Sequence, residues 1–266
     1  MIQPAEIQQK ARKKGVRDTQ IEKDYILSWI LTGIAHNELL SEILAFKGGT
    51  VLKKFYFEDY RHSEDLDFTL LDGTRNNEEI KAAFGNSFGF VKEEANISLS
   101  ITEFGEHETG NINFFISYNG ALGGAGKRVK VDISRNELLQ FSLETKPLFS
   151  TYSDHINSLV KCYSLPEVMT EKLRSLLSRQ QPRDFYDLWY LSEFERMEMS
   201  DYIAEFEAKA KYKGLNPENL ESRIKNILPT FKTRWESSIK EQIADLPSFE
   251  QVSRELGRHF RKLSKR

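Results

Sequence analysis

The chain has 266 residues, 39% hydrophobic and 29% charged, with a formal net charge of −2. This is enough apolar material for one large or two modest domains with a true core, and it excludes a disordered or low-complexity chain. The near-neutral charge gives no whole-molecule attraction to nucleic acid, and no apolar run approaches the ~20 residues of a membrane span. The start, Met-Ile-Gln-Pro-Ala-Glu, has no signal-peptide pattern, and the single Cys162 fits a reducing cytoplasm and offers no zinc cluster, so a cytoplasmic protein is expected.

Basic residues crowd both ends: Lys10, Arg12, Lys13, Lys14 and Arg17, then Arg254, Arg258, Arg261, Lys262, Lys265 and Arg266. Such runs are usually solvated faces, and they would hold a phosphate backbone only if both ends fold beside a site that uses one. Thr19-Gln20-Ile21-Glu22 reads as a capping box opening a helix to about Ala35. Ile21, Tyr25, Ile26, Leu27, Trp29, Ile30, Leu31 and Ile34 make this helix apolar nearly all round, hence buried. A short strand is predicted over 44–46, a helix over 50–58, a strand over 65–71 and a helix near 78–84. Three strands follow near 97–104, 111–118 and 128–134. The loop 119–126, with four glycines in eight residues, joins the last two as a mobile hairpin connection rather than a phosphate cradle, since no helix follows at once. After about residue 150 strand signals fade and helices follow, with stops at Pro166, Pro182, Pro217, Pro229 and Pro247. The pattern predicts an α+β protein: a mixed sheet with flanking helices over 1–150 and a helical C-terminal domain over 151–266. The boundary falls between Leu143 and Leu165.

Three constellations carry chemistry. Asp65 and Asp67 alternate with Leu66, Phe68 and Leu70, so both carboxylates share one strand face. Asp132, alternating with Val129, Val131 and Ile133, also points away from the packed face. If these strands are neighbours, three carboxylates meet and repel unless a cation neutralises them. Two Mg²⁺ ions about 4 Å apart would do so and would clamp an in-line displacement. Just before, Phe46-Lys47-Gly48-Gly49-Thr50 is a glycine turn at a helix start, with bare N–H groups for phosphate and Lys47 and Lys53 nearby. Farther on, a helix over 165–179 places Lys172 and Arg179 inside the apolar face of Leu165, Val168, Met169, Leu173, Leu176 and Leu177. Two cations on a core-facing stripe call for an anion, and a triphosphate is the economical one. Arg174 points elsewhere. Asp184 and Asp187 open the next helix, where acidic residues also favour the helix dipole. Glu64 points opposite to Asp65, and Arg61 and Ser63 either orient the aspartates or fix the loop.

In this order the motifs resemble the AbiEii/AbiGii toxin family of the nucleotidyltransferase superfamily, whose relatives include the mycobacterial MenT toxins. The resemblance runs from Ile21-Glu22-Lys23-Asp24-Tyr25 to about Leu191. It covers Gly-Gly-Thr, Arg61-His62-Ser63-Glu64-Asp65-Leu66-Asp67, the later Asp132, Lys172 with Arg179 seven residues on, and Arg183-Asp184-Phe185-Tyr186-Asp187. His62 departs from the larger apolar residue common in relatives and reads as a satisfied neutral side chain. Minimal nucleotidyltransferases often have Gly-Ser; here Thr50, one position later, is the candidate hydroxyl.

The resemblance implies a nucleotidyltransferase-like sheet and an Mg²⁺-dependent enzyme using a nucleoside triphosphate. The implied metal ligands are Asp65, Asp67 and Asp132, with Asp132 as base. Gly48, Gly49, Thr50, Lys172 and Arg179 would hold the nucleotide, and Asp184 would support the site by orienting Lys172 or an attacking hydroxyl. It further implies a toxin of a toxin–antitoxin or phage-abortive-infection system, with a cognate antitoxin. Its acceptor would be RNA, with nucleotides added to the tRNA 3′ end and translation blocked. Three alternatives stay open: transfer to a protein hydroxyl, a non-catalytic nucleotide-binding module, and a DNA-binding regulator using the basic C-terminal helix.

Overall fold

The computed structural model describes residues 1–107 and 110–263. The chain forms two compact units, residues 1–137 with 143–163, and residues 138–142 with the chain from Ser164 onward.

The described residues of the first unit build a seven-stranded mixed sheet in the order β3-β4-β5-β2-β1-β7-β6. The strands are β1 (Leu44–Lys47), β2 (Asp65–Leu70), β3 (Leu99–Glu106), β4 (Ile112–Tyr118), β5 (Arg128–Ser134), β6 (Glu144–Pro147) and β7 (Leu159–Cys162). β2 runs antiparallel to β1 and parallel to β5. The first five strands lie within two residues of their predicted positions, with inside–outside alternation clearest in β4 and β5. β6 and β7 have no predicted counterpart: they are four residues each, too short for a period-2 signal.

One sheet face is apolar. Leu66, Phe68, Phe114, Ile116, Val131 and Ile133 are buried there, and Phe84 packs edge-on against Phe114 with ring centroids 5.0 Å apart. Phe84 belongs to α5 (Asn77–Ala95), which contacts α2 (Asp18–Ala35). α5 runs well beyond the predicted 78–84 because Phe88, Val91 and Ala95 continue its buried stripe, while Gly85 and Gly89 lie in open space. The N-terminal α1 (Pro4–Lys14) and the short α3 (Glu38–Ile43) complete this part.

The buried character of α2 is as predicted, but its start is not a capping box. The N-cap is Arg17, with no side-chain cap. Glu22 is fully buried instead: its carboxylate accepts from the Leu122 N–H at 2.7 Å and from Lys127 Nζ at 2.5 Å. A Cβ at Gly120 would collide with that carboxylate. The glycine-rich β4–β5 connection is thus a hairpin loop, and it is pinned at both shoulders.

The second unit is helical: α6 (Leu165–Ser178), α7 (Pro182–Glu193), α8 (Ile203–Tyr212), α9 (Leu220–Ile239) and α10 (Phe249–Leu263). Pro166 and Pro182 sit in the first turns of α6 and α7, positions that suit proline. Pro229 lies inside α9, where buried Ile227, Phe231 and Trp235 hold the helix through the lost hydrogen bond. Arg258 and Lys262 of the basic terminus pair with Glu193 and Glu198, the solvated-face arrangement, while Lys265 and Arg266 lie outside the described residues. Among the described residues, no helix is long and apolar enough to cross a membrane.

Glu22→Ala would strand the Leu122 N–H and Lys127. We expect a loss of about 1–3 kcal/mol, read as a lower urea midpoint with an unchanged slope.

Candidate active site

The face opposite the apolar one carries the charges. Across it, Lys47 of β1 stands opposite Asp67 of β2, and Asp67 stands opposite Asp132 of β5. In the next row Asp65 stands opposite Lys130. The register therefore unites the three predicted aspartates in one patch. Asp132 turns to Lys130, whose Nζ lies 2.7 Å from its Oδ2. Partial burial works against the Lys130 ammonium, yet Asp132, with Asp65 and Asp67 beyond it, holds its pKa above the ordinary lysine value.

Among the described residues, no three carboxylate, imidazole or thiol groups already stand together as a metal-holding set. The donor chemistry nevertheless fits a hard dication, since three carboxylates share one sheet face.

The glycine turn abuts this patch. Gly48 has φ +81°, and a Cβ there would collide with the Asp67 carboxylate, so the backbone passes the carboxylate at a distance only glycine permits. The following helix, α4 (Gly49–Val51), continues as a π-helical turn over Leu52–Tyr56. Thr50 is buried and donates its hydroxyl to the Asp65 carbonyl at 2.7 Å. That hydroxyl ties the turn to β2, so it is already engaged within the protein. Lys47 donates to Ser134 and pairs with Glu137, each at 3.0 Å. Lys53 donates to the Glu58 carbonyl. Both lysines are buried internal anchors.

Behind the turn lies a buried network that the sequence reading missed. Asp24 of α2 pairs with Lys54 at 2.8 Å, accepts from Tyr152 at 2.7 Å and faces His62 Nδ1 at 3.5 Å. Burial would raise its pKa, but Lys54 and His62 outweigh that and hold it well below the carboxylate range. Asp24 thereby joins the π-turn after Gly48 to the loop before Asp65. His62, expected to be a satisfied side chain, instead has a buried Nδ1 without a hydrogen-bond partner, 3.5 Å from Asp24 Oδ1, and Arg61 is buried over the Tyr60 ring. Glu64 pairs with Lys23 of α2 at 2.8 Å. The signal for Asp24 was present: a carboxylate in a helix apolar nearly all round must find a partner.

The second unit carries the other predicted residues. Lys172 is buried on α6 and reaches Asp184 at 2.7 Å and Asp187 at 2.6 Å, both from the start of α7. Arg179 is the C-cap of α6 rather than part of its stripe, with its side chain 54% exposed. It forms a two-pronged contact to Asp184, Nε to Oδ2 at 2.7 Å and Nη2 to Oδ1 at 2.9 Å. Asp184 thus collects both cations. Burial pushes its pKa up, but Lys172 and Arg179 bring it below the ordinary value. α6 is also buried on its polar side. Glu167 pairs there with Lys209 and accepts from the N–H groups of Gln140 and Phe141 at 2.9 and 2.8 Å.

Residues 29–255 match the family of nucleotidyl transferase AbiEii toxins of type IV toxin–antitoxin systems. The chain belongs to the AbiEii family. It is accordingly a nucleotidyltransferase toxin, a class that uses a nucleoside triphosphate and is paired with an antitoxin. Its fold is similar to that of MenT4, a nucleotidyltransferase toxin from Mycobacterium tuberculosis H37Rv, with TM-score 0.62, 16% identity, and 100% and 98% of the two chains covered. It is also similar to JHP933 from Helicobacter pylori, with TM-score 0.57, 15% identity and 94% of each chain covered. No curated protein matches this chain.

Two measurements test the network behind the turn. Asp24→Asn strands a buried lysine and should cost ~3–5 kcal/mol at neutral pH. Because the folded Asp24 carboxyl titrates below the ~3.9 of an unfolded chain, its contribution is present above that pH and is lost as pH falls through the folded pKa. The acid limb of stability should therefore flatten in the variant. Burial pulls Lys53 down to about 8, against Asp24 and with Lys54 and Lys14 adding repulsion. Between that pH and the unfolded value of ~10.4 the unfolded chain binds more protons, so this group makes stability rise with pH. Urea melts at several pH values should show the wild-type-minus-Lys53→Met difference climbing through that window and then levelling.

Proposed function

We propose that this AbiEii enzyme transfers a nucleotide from a nucleoside triphosphate to the 3′ end of an RNA. The acceptor is tRNA, the result is a block of translation, and a cognate antitoxin silences the enzyme. The observation that carries the reading is the Asp65–Asp67–Asp132 patch with the Gly48 backbone pressed against Asp67.

The acceptor hydroxyl attacks the α-phosphorus. A new oxygen–phosphorus bond forms, the bond to the β-phosphate oxygen breaks, and pyrophosphate leaves. The hydroxyl proton passes to the Asp132 carboxylate. The N–H groups of Gly49 and Thr50 grip phosphate oxygens, with Gly48 giving the turn its approach to Asp67. Lys172 and Arg179 offset the triphosphate charge, and Asp184 holds both in place. Asp65, Asp67 and Asp132 would hold Mg²⁺, which would supply charge neutralisation to the transfer.

The deciding experiment incubates the protein with Mg²⁺, each labelled nucleoside triphosphate in turn, and total bacterial RNA. Label should enter a tRNA-sized band, and Asp65→Ala/Asp67→Ala should reduce it by at least ~100-fold. Label on protein instead of RNA would move the acceptor to a protein hydroxyl. Tight nucleotide binding with no transfer would overturn the enzymatic RNA reading.

A further inference from the structure

Two strand positions away from the carboxylates, the same sheet face carries an assembly that the transfer chemistry leaves unused. Phe115 of β4 stands opposite Lys130. Arg128 precedes Lys130 by two residues on β5, hence on the same face. The Arg128 guanidinium carbon lies 4.0 Å from the Phe115 ring centroid, a close cation–π stack. Arg128 Nη1 donates to Glu103 Oε1 at 2.5 Å. Glu103 reaches it from a bulge in β3: Thr102 pairs with Phe115 and Gly105 with Asn113, three steps on one strand against two on the other. Glu103 itself sits at φ +53°, left-handed backbone for a non-glycine residue. Arg128 and Glu103 remain 47% and 59% exposed. An ion pair that exposed adds little stability, less than such a backbone costs. The bulge is better explained as a device that aims a side chain beside a site.

In-line displacement fixes where an acceptor must approach. Across the sheet the order is β4-β5-β2-β1, with the Gly48–Thr50 turn following β1. If the phosphates lie at that turn, pyrophosphate leaves on the β1 side. The attacking hydroxyl must then come from the opposite side, over β5 and β4. Two residues along a strand span about 7 Å, comparable to one step between nucleotides in an extended single strand. We propose that Arg128, backed by Phe115 and held by Glu103, is a stacking platform for a base of the RNA acceptor, one of the nucleotides just before its 3′ end. The proposal rests on the RNA-acceptor reading above. Glu103 already meets the charge of Arg128, so the guanidinium offers its planar face, which stacks bases of any sequence.

The test is steady-state nucleotide addition by the full chain to a synthetic single-stranded RNA ending in CCA, with wild type, Arg128→Ala, Arg128→Lys and Phe115→Leu. Arg128→Ala and Arg128→Lys should each raise the acceptor KM roughly 5- to 100-fold, since lysine keeps the charge and loses the plane. Phe115→Leu should shift it the same way. The KM for nucleoside triphosphate and kcat should stay within about twofold, a split that a merely structural role would not produce. One acceptor with an abasic residue among its last three nucleotides should bind wild type as weakly as Arg128→Ala binds the intact RNA. An unchanged acceptor KM, or full function in Arg128→Lys, overturns the platform. If wild type adds nothing to any RNA, the acceptor reading fails first and takes the platform with it.

Discussion

The register of β2 governs this molecule. It places Asp67 between Lys47 and Asp132, and Asp65 beside Lys130. A slip of one residue would exchange these groups for Leu66 and Phe68, turning the carboxylates into the core and the core to solvent. The apolar partners on the far face, packed under α5, make that exchange costly. The hydrophobic face thus fixes the position of charges that repel one another and would not choose to assemble. Lys130 moderates the repulsion from within the patch.

A second constraint comes from α2. Asp24 binds Lys54 after the glycine turn and faces His62 before β2. Each buried charge alone would be expensive; Lys54 and the Tyr152 hydroxyl offset that of Asp24, and the two loops flanking the patch are held to one helix. The helical unit repeats the device, with Asp184 collecting Lys172 and Arg179, and Glu167 collecting Lys209 and two backbone N–H groups.

Much of this was legible in the sequence because it was written in alternation. The period-2 pattern around Asp65, Asp67 and Asp132 gave the strand faces, and the helical spacing put Lys172 in a buried stripe. The parts that were not legible depend on partners distant in sequence. Glu22 fits a capping box by spacing, but the loop near Gly120 claims it. Thr50 fits a phosphate contact by its place after two glycines, but the Asp65 carbonyl takes its hydroxyl. Arg179 fits the stripe by counting, but α6 ends one residue earlier and leaves it as the cap. Pro229 reads as a stop, yet apolar packing carries α9 through it. In each case a local rule met a tertiary contact with more to gain.

The grip of Glu22 on the β4–β5 loop has a practical side. Its hold ends at Leu122 and resumes at Lys127. Between them residues 123–126 are exposed, with Gly123 and Gly126 facing open space and Gly123, Gly124 and Gly126 all at positive φ. The strands on either side are registered by the anchors and the sheet rather than by the tip. That short stretch is therefore the natural place to splice in a fluorophore site or an epitope, an internal handle that leaves both chain ends untouched.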